Sequence, residues 1–230
     1  MKEDKLHFIR IANNLNNELH ETLVKRKLHF RGNFKSFSII SVSQETPEIG
    51  KSGLKTEKDA LRVLDSLKLK APERKTEEKN LQAFMINYAI NNSGKLPIED
   101  LTYLTSELAF VYNDNKRIVN DLLAIDRDNN LVIIELKSLR DNKVKQQTID
   151  FEEKAVLHNK ELFSEIIKEI SGLEWNGKIR KLAVWPKLNN TPRVDKSERY
   201  HDVELYNYTF KPEQVNKDKV VMESVNFNKE

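Results

Sequence analysis

The feature that most constrains this chain is a pair of short apolar runs, Leu122-Leu123-Ala124-Ile125 and Leu131-Val132-Ile133-Ile134, separated by Asp126-Arg127-Asp128-Asn129-Asn130. Each run is long enough to be a strand through a core and too short to be a buried helix. The residues between them are turn formers, because Asn and Asp tolerate positive φ and hydrogen-bond their own backbone. The segment predicts an antiparallel hairpin near the middle of a sheet. Both runs are nevertheless bordered by charge: Asp121 leads into the first, and Glu135 and Lys137 lead out of the second. Charged side chains seldom border central apolar strands without a partner.

Register decides whether those charges meet. Strand side chains alternate faces, so Glu135 and Lys137 share a face with Leu131 and Ile133. A three-residue loop, Asp128 to Asn130, pairs Arg127 with Leu131. Asp121 then lies opposite Lys137 and Leu123 opposite Glu135, with the three charged groups on one face. A four-residue loop turns Asp121 to the other face. The acidic-any-lysine pattern carries nothing alone, since it also begins at Glu3, Glu73, Glu77, Asp114, Asp141 and Glu152. Only Glu135 follows an apolar strand.

Two carboxylates at such a separation cannot both stay ionised without a large penalty unless a cation lies between them. Oxygen donors without His or Cys favour Mg²⁺ or Mn²⁺ over zinc. Such an ion polarises a phosphate ester and lowers the pKa of a bound water. A lysine two residues from a ligand can orient that water or stabilise the developing phosphorane charge. The plainer reading of the same residues is a hairpin with polar ends, Asp121 capping a strand and Glu135 and Lys137 forming a surface pair.

The rest of the chain frames this hairpin. Residues 1–70 read as an extension: helix from Leu6 to Lys27, strand from Asn33 to Ser43, loop from Gln44 to Ser52, helix from Lys55 to Lys70. Ala71-Pro72 breaks the chain, and residues 71–230 read as the main domain. There, Thr76 is an N-cap candidate for a helix carrying Glu77, Glu78, Leu81, Phe84, Met85 and Tyr88, stopped at Asn91-Asn92-Ser93-Gly94. Strands follow over Leu101–Tyr112, Ile118–Arg127 and Leu131–Lys137. A long helix spans Gln146–Ile170 and ends at Ser171-Gly172, and two more strands cover Ile179–Trp185 and Val203–Phe210.

Composition narrows the function classes. The chain has no cysteine, which removes disulfides, thiolate zinc sites and cysteine nucleophiles. Its five histidines are scattered without ligand spacing. There is no Gly-rich phosphate loop, no Gly-x-Ser-x-Gly and no His-Glu-x-x-His. Apolar runs fall far short of the roughly 20 residues of a membrane helix, and Met1–Arg10 is polar, without a secretory h-region. The expected location is the cytoplasm, with no membrane partner. Net charge is only +3, so phosphate binding would depend on local clusters: Lys51 to Lys79, and the set Lys178, Arg180, Lys181, Lys187, Arg193, Lys196 and Arg199. Each cluster reads equally well as an ordinary solvated surface.

Ile118-Val119-Asn120-Asp121-Leu122-Leu123-Ala124-Ile125-Asp126 followed by Leu131-Val132-Ile133-Ile134-Glu135-Leu136-Lys137 resembles the core of PD-(D/E)xK, or restriction-endonuclease-like, nucleases. The resemblance covers residues 71 to about 210 and implies an α/β fold, a mixed central sheet flanked by helices in the order αβββαβ. That is the order read from the residues. It further implies a Mg²⁺- or Mn²⁺-dependent nuclease acting on DNA rather than RNA, in a restriction, repair or mobile-element setting, with a homodimer as a possible assembly. Asp121 and Glu135 match the metal-binding acids and Lys137 the catalytic lysine. Glu78, with Glu77 beside it, matches the extra helix carboxylate, a third metal ligand. Gln147, in Gln147-Thr148-Ile149-Asp150-Phe151, matches a Gln-xxx-Tyr motif with Phe for Tyr, and it reads equally well as an ordinary helix turn. Asn120 replaces the family's proline. Glu107 either lines the site or points outward. The alternative on the same fold is an inactive nucleic-acid-binding or assembly protein.

Overall fold

The computed structural model describes residues 41–43, 77–112, 116–141, 143–187, 200–216 and 219–230. The helices expected in residues 1–70, the Thr76 cap and the Lys51–Lys79 cluster, apart from the backbone of its last residues, lie outside them. Among the described residues, seven strands form one mixed sheet ordered as in the chain. At one edge β1 (Ser41–Ser43) pairs parallel with β2 (Thr102–Tyr112). An antiparallel meander follows through β3 (Lys116–Ile125) and β4 (Leu131–Leu136). Next come β5 (Ile179–Pro186) and β6 (Val203–Asn216), both parallel to β4, and then β7 (Lys219–Lys229), antiparallel to β6. This is the α/β, helix-flanked mixed sheet expected from sequence. The residue 1–70 segment contributes to it through β1.

Alternation along β3 and β4 divides the core into two layers. Leu122, Ala124, Val132 and Ile134 pack against Leu81, Met85 and Ala89 of α1 (Glu77–Asn91). Leu123, Ile125, Leu131 and Ile133 face the other way, onto Phe151 of α2 (Lys143–Phe151) and Phe163, Ile166 and Ile167 of α3 (Lys160–Ser171). All six residues of β4 are buried, which explains why Leu131, Val132, Ile133, Ile134 and Leu136 are apolar without alternation. Each such side chain contributes roughly 1.5–3 kcal/mol by burial.

The hairpin has the expected loop length, one residue upstream of the expected place. Leu122 pairs with Ile134, Leu123 with Ile133 and Ile125 with Leu131. Asp126 N–H donates to Asn130 O at 3.1 Å, so the loop is Arg127–Asn129. Asn129 takes the left-handed conformation (φ 61°). The Asp126 carboxylate explains the shift: it accepts from the N–H of Asp128 (3.0 Å), the N–H of Asn130 (2.9 Å) and the Asn130 amide (2.8 Å), and so anchors the turn one residue early. Sliding a loop of constant length changes the register by two and preserves face. Continued, the register sets Asp121 opposite Glu135 rather than Lys137.

Two other expectations are corrected. The single helix over Gln146–Ile170 is interrupted: α2 passes into a π-turn at Glu152–Val156 and a 3-10 turn at Leu157–Asn159 before α3 begins. His158 Nδ1 donates to Glu153 O (2.7 Å) and Asn159 Nδ2 to Ala155 O (2.8 Å), so side chains occupy carbonyls that a regular helix would use. The helix does end at Gly172, at φ 72°. The last strand runs past Phe210 to Asn216, crossing Pro212 at a register shift, and β7 pairs with it. Proline is tolerated at such an irregularity because no ladder hydrogen bond is required of it.

Candidate active site

The charged groups at the hairpin ends converge. Asp121, 7% exposed, receives the Leu136 N–H on Oδ2 at 2.8 Å, a bond that reaches across from β3 to β4. Glu135, 4% exposed, lies beside it. Lys137 follows the last residue of β4. Its Nζ lies 3.3 Å from Glu135 Oε1 and 3.8 Å from Glu78 Oε2, and it donates to Leu136 O at 2.9 Å. Glu78, in the first turn of α1, thus meets Lys137, while the side chain of Glu77 lies outside the described residues.

Burial pushes the Glu135 carboxyl well above the ordinary carboxylate range, the neighbouring Asp121 charge adds to this, and Lys137 only partly opposes it. Burial also works against the charged form of Lys137, but the charges of Glu135, Asp121 and Glu78 hold its pKa above the ordinary lysine value. The site therefore keeps a charged ammonium next to a carboxyl that resists ionisation, an environment suited to an added cation. No group of three His, Cys, Asp or Glu forms a ready metal cluster among the described residues. Asp121 and Glu135 still fit Mg²⁺ or Mn²⁺ as a pair, since Mg²⁺ commonly takes one or two carboxylates and completes its shell with water and phosphate oxygens. Glu78 approaches the lysine.

Gln147 is exposed on α2 and has no hydrogen bond to Glu78, Asp121, Glu135 or Lys137 among the described residues. Its neighbour Gln146 is tied to Asp150 (2.7 Å) and receives the Tyr200 hydroxyl (3.4 Å). The bulge between Tyr103 and Thr105 in β2 sets Glu107 at the register position opposite Asp121; its side chain lies outside the described residues.

Two residues have supporting roles that the sequence pattern did not show. Gln82, 1% exposed, donates from Nε2 to the Asp121 carbonyl at 2.8 Å. Asn120, equally buried, donates from Nδ2 to Ile134 O at 3.1 Å, locking β3 to β4 next to Asp121. Gln82 lies one helical turn after Glu78, so the spacing i, i+4 carried a usable signal. The second basic cluster loses two members as a phosphate surface. Arg180 pairs with Glu99, Asp126 and Glu204, and the buried Lys181 pairs with Glu152 and Asp202. Arg193, Lys196 and Arg199 lie outside the described residues. Among the described residues no helix is long and apolar enough to cross a membrane.

No protein-family model matches this chain, and no curated protein matches it. Among solved structures it is similar to the crystal structure of a repair endonuclease from Pyrococcus abyssi, with 22% identity and a TM-score of 0.30 over 58% of this chain. The match spans about half of that protein, 48% of its length. A likeness of that size carries no inference about chemistry, which rests on the site itself.

Proposed function

We propose that this chain is a divalent-metal-dependent nuclease hydrolysing phosphodiester bonds, with DNA rather than RNA as substrate. The observation that supports it most is the burial of Asp121 and Glu135 side by side on adjacent strands with the Lys137 ammonium against them. A stable hairpin has no need of this arrangement, because it raises the proton affinity of Glu135. The preference for DNA follows the resemblance of the two strands to restriction-endonuclease-like cores.

Asp121 and Glu135 would hold Mg²⁺ or Mn²⁺, which when bound supplies a Lewis acid for the scissile phosphate and a water of lowered pKa. Lys137, kept protonated by three carboxylates, orients the attacking water and offsets negative charge growing on the phosphate oxygens. Glu78 steadies Lys137, while Gln82 and Asn120 fix the strand that carries Asp121. Gln147, exposed on α2, would orient Lys137 or a substrate phosphate. A homodimer in which each copy cuts one strand of a duplex belongs to this proposal.

The test is a digest of single- and double-stranded DNA and RNA with Mg²⁺ or Mn²⁺. DNA cleavage that EDTA abolishes supports the proposal. A pure protein that binds DNA and cuts nothing with either ion would instead be the inactive binding protein.

A further inference from the structure

The segment leaving Lys137 is held by backbone and side-chain groups far away in sequence. Lys137 N–H donates to Val184 O at 2.9 Å, and Lys137 O accepts from the Tyr208 hydroxyl at 3.4 Å. Three residues on, the Arg140 guanidinium lies over the Trp185 ring, 4.6 Å from its centroid, and Nη2 donates to Glu230 Oε2 at 2.6 Å. Glu230 Oε1 accepts from Trp185 Nε1 (3.2 Å) and Asn207 Nδ2 (3.5 Å). Trp185 of β5 and Glu230, the residue after β7, thus converge on one arginine of the loop between β4 and α2, and Asn207 of β6 braces Glu230. The Arg140 side chain is only 11% exposed. Leu139 beside it is 70% exposed, so apolar packing of that residue does not hold the loop. The grip also leaves Arg140 Nε and Asn207 Oδ1 buried without a hydrogen-bond partner among the described residues, an arrangement that costs stability.

We infer that Arg140, locked by Glu230 and Trp185, is a positioning residue for Lys137. A lysine head inherits the placement of its backbone through four flexible methylenes. Fixing the chain just after Lys137 keeps the ammonium within reach of Glu135 and Glu78. This inference rests on the nuclease reading, in which a misplacement of about 1 Å can cost on the order of 10²-fold in rate.

The test compares Arg140→Ala, Arg140→Lys and Glu230→Gln with the unaltered protein in metal-dependent DNA cleavage. The expected result for Arg140→Ala is a kcat lower by about 10–100-fold with KM within about threefold. Arg140→Lys restores part of the rate, since it keeps the charge and loses the planar stack. Combining Arg140→Ala with Glu230→Gln is expected to lower kcat no further than the more damaging single change, because both break one contact. A raised KM with intact kcat would make Arg140 a substrate contact and overturn the positioning role, as would two unchanged constants. A second readout needs no substrate: hydrogen exchange at the Lys137 amide should quicken in Arg140→Ala while the amides of Ile133 and Ile134 hold, and an unchanged Lys137 rate overturns the inference. If the unaltered protein cuts no nucleic acid, the nuclease reading fails, and the exchange rates alone decide the role of Arg140.

Discussion

Near the start of β4, Arg180 lies among Glu99, Asp126 and Glu204. Near its end, Lys137 lies among Glu78, Glu135 and Asp121. Each cluster gathers three carboxylates around a cation, yet Glu135 is shifted in the opposite direction from the three carboxyls around Arg180. In the Arg180 cluster burial raises each carboxyl, but hydrogen bonds win: Tyr206 and Arg180 for Glu99, Asn130 for Asp126, Arg180 and Lys229 for Glu204, and all three end below their ordinary values. In the Lys137 cluster burial and the Asp121 charge win, and Glu135 ends well above its ordinary value. Arg180 presents a planar fork of donors to several oxygens, whereas Lys137 offers one compact head. One cluster supplies its carboxylates with donors; the other leaves Glu135 short of positive charge, which fits the proposed metal pair.

Removing groups from each cluster should separate the two in rate and in stability. Asp121→Ala, Glu135→Ala and Lys137→Ala should each lower metal-dependent DNA cleavage by at least about 10²-fold, while Arg180→Ala leaves the rate within a few-fold, as read in an initial-rate assay. Arg180→Ala should instead destabilise the fold by about 1–3 kcal/mol, after allowance for partial exposure of the pair partners. Denaturant unfolding measures it. Glu135→Gln should do the reverse in metal-free protein. A carboxyl whose folded pKa is raised gives its stability below the ordinary value of 4.5 and loses it as pH rises through the folded value. At neutral pH its neutral isostere should therefore raise the melting temperature, by about 2–4 °C for each kcal/mol recovered. The smallest effect is the acid limb. Glu99, Asp126 and Glu204 have lowered folded values, so their contribution is full above 4.5, 3.8 and 4.5 and fades as pH falls through the lower folded values. Unfolding measured from pH 5 downward should show that slope, flattened in Arg180→Ala.

How much of this was legible follows from which interactions are local. The β3–β4 pair was readable because apolar runs and turn residues are adjacent in sequence. The shared face of Asp121, Glu135 and Lys137 survived an error in loop position, since face depends on the parity of the register and the loop kept three residues. The position itself depended on the Asp126 carboxylate bonding Asp128 and Asn130, one of several turns those residues permit. The break after α2 was hidden because residues 152–159 are individually compatible with helix, and the bonds from His158 and Asn159 override that preference. In β7, Val225 and Phe227 carry a period-two signal against the core, but the polar residues around them masked it. Arg140 was illegible: Trp185 and Glu230, with Asn207 behind Glu230, are brought to it only by the sheet.

The most direct test of the central claim is a calorimetric titration of metal-free protein with Mn²⁺, beside Asp121→Ala and Glu135→Gln. The unaltered protein should bind the ion, and binding should weaken at least about tenfold in either variant, since each removes a carboxylate from the proposed metal pair. Equal binding by all three proteins, or none by the unaltered one, would contradict the assignment of Asp121 and Glu135 as the metal pair.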